Sequence, residues 1–148
     1  EMKIRTLLIS LLMAFATINS VKADNDRPIT FNDLPQKAQQ FISNTFKGDR
    51  VSYAKMERDI LDVSYEVVLV SGTKIEFMRN GEWREVSMRY SAIPAPLIPA
   101  PIADYVKQHH PNLNVVKIER ERKTYEVKLN NGLQLRFDRS FRFIGWDD

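Results

Sequence analysis

Residues 65–77 read Tyr-Glu-Val-Val-Leu-Val-Ser-Gly-Thr-Lys-Ile-Glu-Phe, and their pattern indicates a β-hairpin. Apolar and polar residues alternate on both sides of Ser71-Gly72, which is the pattern of two half-buried antiparallel strands joined by a tight turn. Residues 125–137 repeat the pattern sixty positions later, with Tyr-Glu-Val, glycine and phenylalanine at matching places. The chain is therefore predicted to contain two similar hairpins.

A short amphipathic helix is predicted ahead of each hairpin. The apolar residues at helical spacing are Leu34, Ala38, Phe41, Ile42 and Phe46 in the first case, and Ile98, Ile102, Tyr105 and Val106 in the second. Further strands are predicted before and after each hairpin. The expected fold class is α+β, a tandem repeat of one helix plus about four antiparallel strands, with both helices packed on one face of the joined sheet.

Residues 1–23 have the pattern of a cleaved signal peptide. Lys3 and Arg5 precede an apolar run over 7–16, and Val21-Lys22-Ala23 follows as a small-residue cleavage site. The run is shorter than the roughly 20 residues of a membrane-spanning helix, so we expect no stable membrane insertion after cleavage. No cysteine follows as a lipoprotein attachment site. The predicted location is the periplasm or the exterior.

Residues 24–148 are expected to form one domain made of two repeats, about 29–90 and 97–148. A proline-rich linker over 91–101 separates them and is predicted to run as extended polyproline II. We interpret it as a stiff connector; the alternative is a Pro-x-x-Pro ligand for a recognition module. The whole chain has a net charge of +3. Three basic residues and one acidic residue lie in the leader, so residues 24–148 have a net charge of +1. Nucleic acid is therefore not an expected partner.

The sequence contains no catalytic constellation. There is no Gly-x-Ser-x-Gly turn, and the absence of cysteine excludes a thiol nucleophile. His109 and His110 lack further ligands at helical spacing, and the acidic termini do not follow the twelve-residue calcium loop. The chain is expected to be no enzyme and to need no cofactor or metal.

The sequence resembles the PepSY-like family of exported Bacteroidetes proteins, which is related in fold to the beta-lactamase inhibitor protein. The motifs that carry the resemblance are Leu34-Pro35, Tyr65-Glu66-Val67, Gly72, Ile75-Glu76-Phe77 and Gly81-Glu82-Trp83, with their counterparts in the second half. Two positions depart from the pattern: Met78 replaces an expected aspartate, and Phe141 replaces a turn glycine. The resemblance implies a curved sheet with an open face that grips another protein, and it implies no catalytic residue.

The predicted function is that of a non-enzymatic periplasmic protein-binding module that uses the open sheet face, with inhibition of an exported enzyme as one form. The alternative is a small-ligand or calcium-responsive periplasmic sensor. The expected partner is another periplasmic or cell-envelope protein. The candidate partner-binding residues are Glu76, Trp83, Arg84, Tyr90, Lys128, Arg136, Arg142 and Trp146. For Trp83 and Trp146 the alternative position is the core beneath the helices.

Overall fold

The computed structural model describes residues 25–147, and the predicted signal peptide lies outside this range. Two helices and nine strands form the fold. The helices are α1 (Gln36–Thr45) and α2 (Ala100–His109). The strands are β1 (Arg27–Pro28), β2 (Val51–Arg58), β3 (Val63–Leu69), β4 (Lys74–Met78), β5 (Trp83–Ser87), β6 (Val115–Arg120), β7 (Thr124–Leu129), β8 (Gln134–Asp138) and β9 (Phe143–Asp147).

All nine strands belong to one antiparallel sheet, and each strand pairs with its neighbours in chain order. The predicted α+β class and antiparallel pairing are confirmed. The duplication that the sequence indicates stays a prediction. Between β5 and β6 the chain leaves the sheet to form α2, so the pairing of β5 with β6 joins the two halves.

The helices pack on one face of the sheet. Phe41 of α1 contacts Phe77 edge-on at 5.8 Å between ring centroids, and Tyr105 of α2 contacts Phe137 at 5.4 Å. Beneath them a row of fully buried partners crosses five adjacent strands: Ile75, Val86, Ile118, Val127 and Leu135. Because side chains alternate along a strand, the residues next to these in sequence lie on the opposite face, which we call the open face.

The β4–β5 and β8–β9 hairpins have the same bulged register although their turns differ in sequence. Gly81, between β4 and β5, has φ of 85°, and Phe141 takes the corresponding place between β8 and β9 with φ of 65°. Left-handed backbone is costly for a bulky residue. The Phe141 ring packs against Tyr125 at 5.2 Å, which offsets part of that cost. Consequently β8 and β9 keep the bulged register that β4 and β5 have.

The proline-rich segment differs from the expected extended run. Residues Ala95–Leu97 form a 3-10 turn, closed by the amide of Leu97 donating to Pro94 and that of Ile98 donating to Ala95. The expectation of uninterrupted polyproline II is wrong here, since the fixed proline φ is also compatible with 3-10 geometry. Ile93 is buried in the core, so the segment is anchored beside the sheet.

Candidate functional site

Five glutamates form an unbroken row across the open face. Glu66 of β3 lies opposite Glu76 of β4, which lies opposite Glu85 of β5; Glu119 of β6 and Glu126 of β7 continue the row in direct register. Their side chains are only 14 to 23% exposed. Like charges directly opposite each other destabilise a sheet, so this glutamate row costs folding free energy.

Basic side chains neutralise the outer members of the row. Lys74 Nζ lies 2.8 Å from Glu66 and 3.8 Å from Glu76, and Arg84 Nη2 lies 3.0 Å from the second oxygen of Glu76. The hydrogen bond that Lys74 donates to Glu66 raises the pKa of Lys74, and the one that Arg84 donates to Glu76 raises the pKa of Arg84. These cations therefore stay charged and hold the outer carboxylates in place.

The centre of the row is less well neutralised. Glu85 and Glu119 share one ammonium, Lys117 Nζ, at the longer distances of 3.4 and 3.7 Å. Burial raises the pKa of Glu85, and a hydrogen bond with Glu121 together with burial raises the pKa of Glu119. The pairing of β5 with β6 thus carries two carboxylates that lack a full complement of positive charge.

Four of the eight sequence-predicted site residues lie on the open face. Glu76 and Arg84 form the ion pair described above. Arg136 continues the row beyond Glu126, at 3.6 Å from its carboxylate. Lys128 is exposed and lies beside the row, opposite Lys117. The structure brings these four side chains onto one surface.

Neither tryptophan among the other four residues lies on the open face. Trp83 is 9% exposed and stacks on Phe41 beneath α1, so its alternative position in the core is the one observed. Trp146 lies opposite Leu135 on the helix side and is 61% exposed. Tyr90 projects from the segment after β5, and Arg142 lies in the β8–β9 turn. Neither tryptophan is therefore an open-face anchor, because the β4–β5 bulge turns Trp83 to the helix side and strand alternation places Trp146 there. The partner-binding role of these four residues stays a prediction.

Potential metal ligands are dispersed in the described part of the chain. Among residues 25–147, no group of three or more histidine or acidic side chains is arranged to hold a metal ion. Asp26 accepts from Lys55 at 2.9 Å, and Asp147 pairs with Arg136 at 3.2 Å. His109 stacks on Tyr105 of its own helix at 4.0 Å.

The arrangement of strands and turns agrees with one known family. A family model described as "Putative beta-lactamase-inhibitor-like, PepSY-like" matches residues 63–145, which run from β3 into β9. The chain belongs to this PepSY-like family. The resemblance noted in the sequence is thereby confirmed.

Solved structures of three similar proteins share this fold over more than four fifths of the chain. A "putative calcium-regulated periplasmic protein" from Bacteroides thetaiotaomicron is 46% identical, with a TM-score of 0.80 over 83% of this chain and 97% of that chain. A periplasmic protein of the DUF2874 family from Bacteroides vulgatus is 45% identical, with a TM-score of 0.81 over 85% and 99% of the two chains. A second Bacteroides vulgatus protein, of unknown function, is 37% identical at a TM-score of 0.80, over 83% and 99%.

No curated protein matches the PepSY-like chain. Within residues 25–147, neither helix has the length and apolar character needed to cross a membrane. The relatives above are described as periplasmic proteins, in agreement with the location predicted for this chain.

Sequence reasoning missed the glutamate row. Each of the five strands carries one glutamate next to a buried apolar residue, as in Tyr65-Glu66-Val67 and Arg84-Glu85-Val86. Alternation alone places these glutamates on the open face. Their alignment in one row depends on the register of each strand pair, which the β4–β5 bulge shifts by one residue.

Proposed function

We propose that this chain is a non-enzymatic periplasmic binding protein whose open face docks another exported or cell-envelope protein. The observation that carries the proposal is the under-neutralised pair Glu85 and Glu119 at the centre of the glutamate row, which share Lys117 at 3.4 and 3.7 Å. A lysine or arginine of the partner, placed over this pair, would supply the missing positive charge.

The energetic cost of the glutamate row supports a binding role over a merely solvated face. Opposite charges alternated across the strands would stabilise the sheet, whereas five glutamates in register do the reverse. A local arrangement that costs stability without a structural gain is expected at functional sites. A partner's cation placed over the row would offset the repulsion between the glutamates.

The open face also favours a polar, charge-guided interface. Beside the glutamate row lie Lys74, Lys117 and Lys128, so the surface offers an acidic stripe next to a basic one. Such a pattern selects partners by complementary charge and fixes their register. The family is described as beta-lactamase-inhibitor-like. This description supports a role in which the docked partner is an exported enzyme that the protein inhibits.

Affinity capture from envelope extract tests this proposal. The bait is the protein itself, compared with a variant in which Glu76→Lys, Lys128→Glu and Arg136→Glu reverse the charges of the open face. We expect partners held by wild type to be lost in the variant. Retention of the same partners by a folded variant would overturn the proposed face.

A second candidate is a calcium-responsive binding protein, favoured by the description of the Bacteroides thetaiotaomicron relative as calcium-regulated. Ligand that binds only the folded state raises the melting temperature by mass action. Thermal unfolding in calcium chloride, with magnesium chloride at equal ionic strength as control, tests this candidate. A rise specific to calcium supports it, and identical curves remove it.

A further inference from the structure

A cleft of about 650 Å³ opens at the end of the sheet where the β2–β3, β4–β5, β6–β7 and β8–β9 turns cluster. Five arginines line it: Arg79, Arg84, Arg120, Arg122 and Arg139. They come from three different hairpins and are brought together by the strand order. We call this site the arginine cleft; it is separate from the row centre at Glu85 and Glu119.

The charges in the arginine cleft do not balance. The carboxylates that line it are Asp62, Glu82 and Glu121. One arginine and one carboxylate of the cleft already have partners outside it. Arg84 pairs with Glu76 at 3.0 Å, and Glu82 pairs with Lys37 at 2.8 Å. Four arginines then face two carboxylates, which leaves two positive charges in excess.

Two of the arginines are held rigidly. Arg120 lies 4.0 Å above the Trp83 ring, and its Nε donates to the Trp83 carbonyl, so its terminal nitrogens remain for a ligand. Arg139 lies 4.5 Å above the Tyr125 ring and donates to the Glu121 carbonyl. Desolvation lowers the pKa of Arg120, with the charge of Arg139 acting in the same direction. The ring contacts and the backbone hydrogen bonds hold both guanidinium groups in place before a ligand binds, as in a preorganised anion site.

The remaining two arginines are uncommitted in the described chain. Arg79 and Arg122 are exposed at the β4–β5 and β6–β7 turns. Within residues 25–147 neither guanidinium has a carboxylate within 4.0 Å. Both are therefore available to close over a ligand held by Arg120 and Arg139.

We propose that the arginine cleft binds a phosphate group. Guanidinium groups bind phosphate and carboxylate through paired hydrogen bonds. A terminal phosphate offers three oxygens and about two negative charges, which match several guanidinium groups and the excess of two positive charges. A single carboxylate would leave half of that excess uncompensated.

The phosphate could belong to a soluble molecule or to an anionic lipid headgroup, and the neighbouring turn distinguishes the two sources. Ile60 and Leu61 are 97% and 92% exposed at the tip of the β2–β3 turn. Asp62 of the same turn lines the cleft. A headgroup in the cleft would bring this apolar pair to the membrane surface, whereas soluble phosphate would not use it.

The soluble arm of the test follows the Trp83 indole N–H signal in a proton–nitrogen spectrum, assigned with Trp146→Phe. Titration with inorganic phosphate and pyrophosphate is compared with sodium chloride at equal ionic strength. We expect a saturable shift of the Trp83 signal with a phosphate probe only. The double variant Arg79→Gln/Arg122→Gln should weaken binding at least about tenfold, because two charge-assisted contacts are removed. Lys47→Gln/Arg50→Gln removes the same charge elsewhere and should leave binding unchanged.

The lipid arm uses sedimentation with vesicles of phosphatidic acid, whose headgroup is a terminal phosphate, and with phosphatidylcholine vesicles. Binding to phosphatidic acid that requires Arg79 and Arg122 supports the proposal, and its loss in Ile60→Ser/Leu61→Ser assigns the phosphate to a lipid. Soluble binding without vesicle binding assigns it to a free phosphate compound. The proposal is overturned if no probe binds, or if the arginine variant and the lysine-arginine control bind alike.

Discussion

Glu85 of β5 and Glu119 of β6 lie directly opposite each other where the two halves of the sheet meet, and both carboxylates approach the single ammonium of Lys117. This strand pair is thus less well neutralised than Glu66 and Glu76, which have the two cations of Lys74 and Arg84. Repulsion between these two carboxylates lowers the stability of the folded sheet, and the same two groups offer a position for a partner's cation.

Removal of one central charge should stabilise the protein. Glu119→Gln keeps the size of the side chain and removes its repulsion with Glu85 and Glu121. We expect the free energy of unfolding at pH 7 to rise by roughly 0.5 kcal/mol, the scale of cross-strand charge pairs. Urea unfolding of variant and wild type measures this difference. An equal or lower stability would contradict the account of the row centre.

The gain from Glu119→Gln should depend on pH. The pKa values of Glu85 and Glu119 are raised in the folded state, so protonation favours folding. Their stabilising effect is complete below the ordinary value of 4.5 and is lost as the pH rises through the folded-state pKa. The advantage of the variant should therefore be largest near pH 7 and shrink toward pH 4.5. A difference that is constant between these limits would show that charge is not its cause.

The two tryptophans should differ strongly in their contributions to stability. Trp83 is buried between Phe41 and Arg120, so Trp83→Ala should cost about 3 to 5 kcal/mol. Trp146 is 61% exposed, and Trp146→Ala should cost less than about 1 kcal/mol. Chemical denaturation of both variants gives the comparison. Equal costs would place Trp83 outside the core.

Gly81 should tolerate a methyl group less well than Gly132. Both have positive φ, so alanine is strained at either position. At Gly81 the added Cβ would also lie 2.9 Å from Pro35 Cβ, whereas nothing lies within 4 Å at Gly132. Gly81→Ala should therefore cost about 1 to 3 kcal/mol more than Gly132→Ala, measured by thermal unfolding. Similar losses would show that α1 shifts freely away from the turn.

Local pattern was sufficient to predict most of the fold. The alternation around Ser71-Gly72 and Asn131-Gly132 predicts the hairpins, and the apolar spacing predicts α1 and α2. The 3-10 turn at Ala95–Leu97 was missed, because proline fixes φ but leaves ψ to tertiary contacts such as the burial of Ile93.

The site was less predictable because it depends on pairing between strands. Alternation predicts that Glu76, Lys128 and Arg136 lie on the face opposite the core, whereas Arg84 reaches the open face at the β4–β5 bulge. The glutamate row can be predicted only when the cross-strand partner of each glutamate is known. Glu85 and Glu119 are far apart in sequence and become neighbours only when β5 pairs with β6. The arginine cleft likewise collects residues from three hairpins. Neither property is encoded in the local spacing of side chains.

Docking at the centre of the glutamate row is tested by the affinity of a captured partner for wild type, for Glu85→Gln/Glu119→Gln and for the control Asp104→Asn, which removes an exposed carboxylate on α2. We expect the double variant to unfold at a higher temperature than wild type yet to bind the partner at least about tenfold more weakly, since a charged contact is lost. The control should bind as wild type does. Unchanged affinity of the stabilised double variant would contradict docking at the centre of the glutamate row.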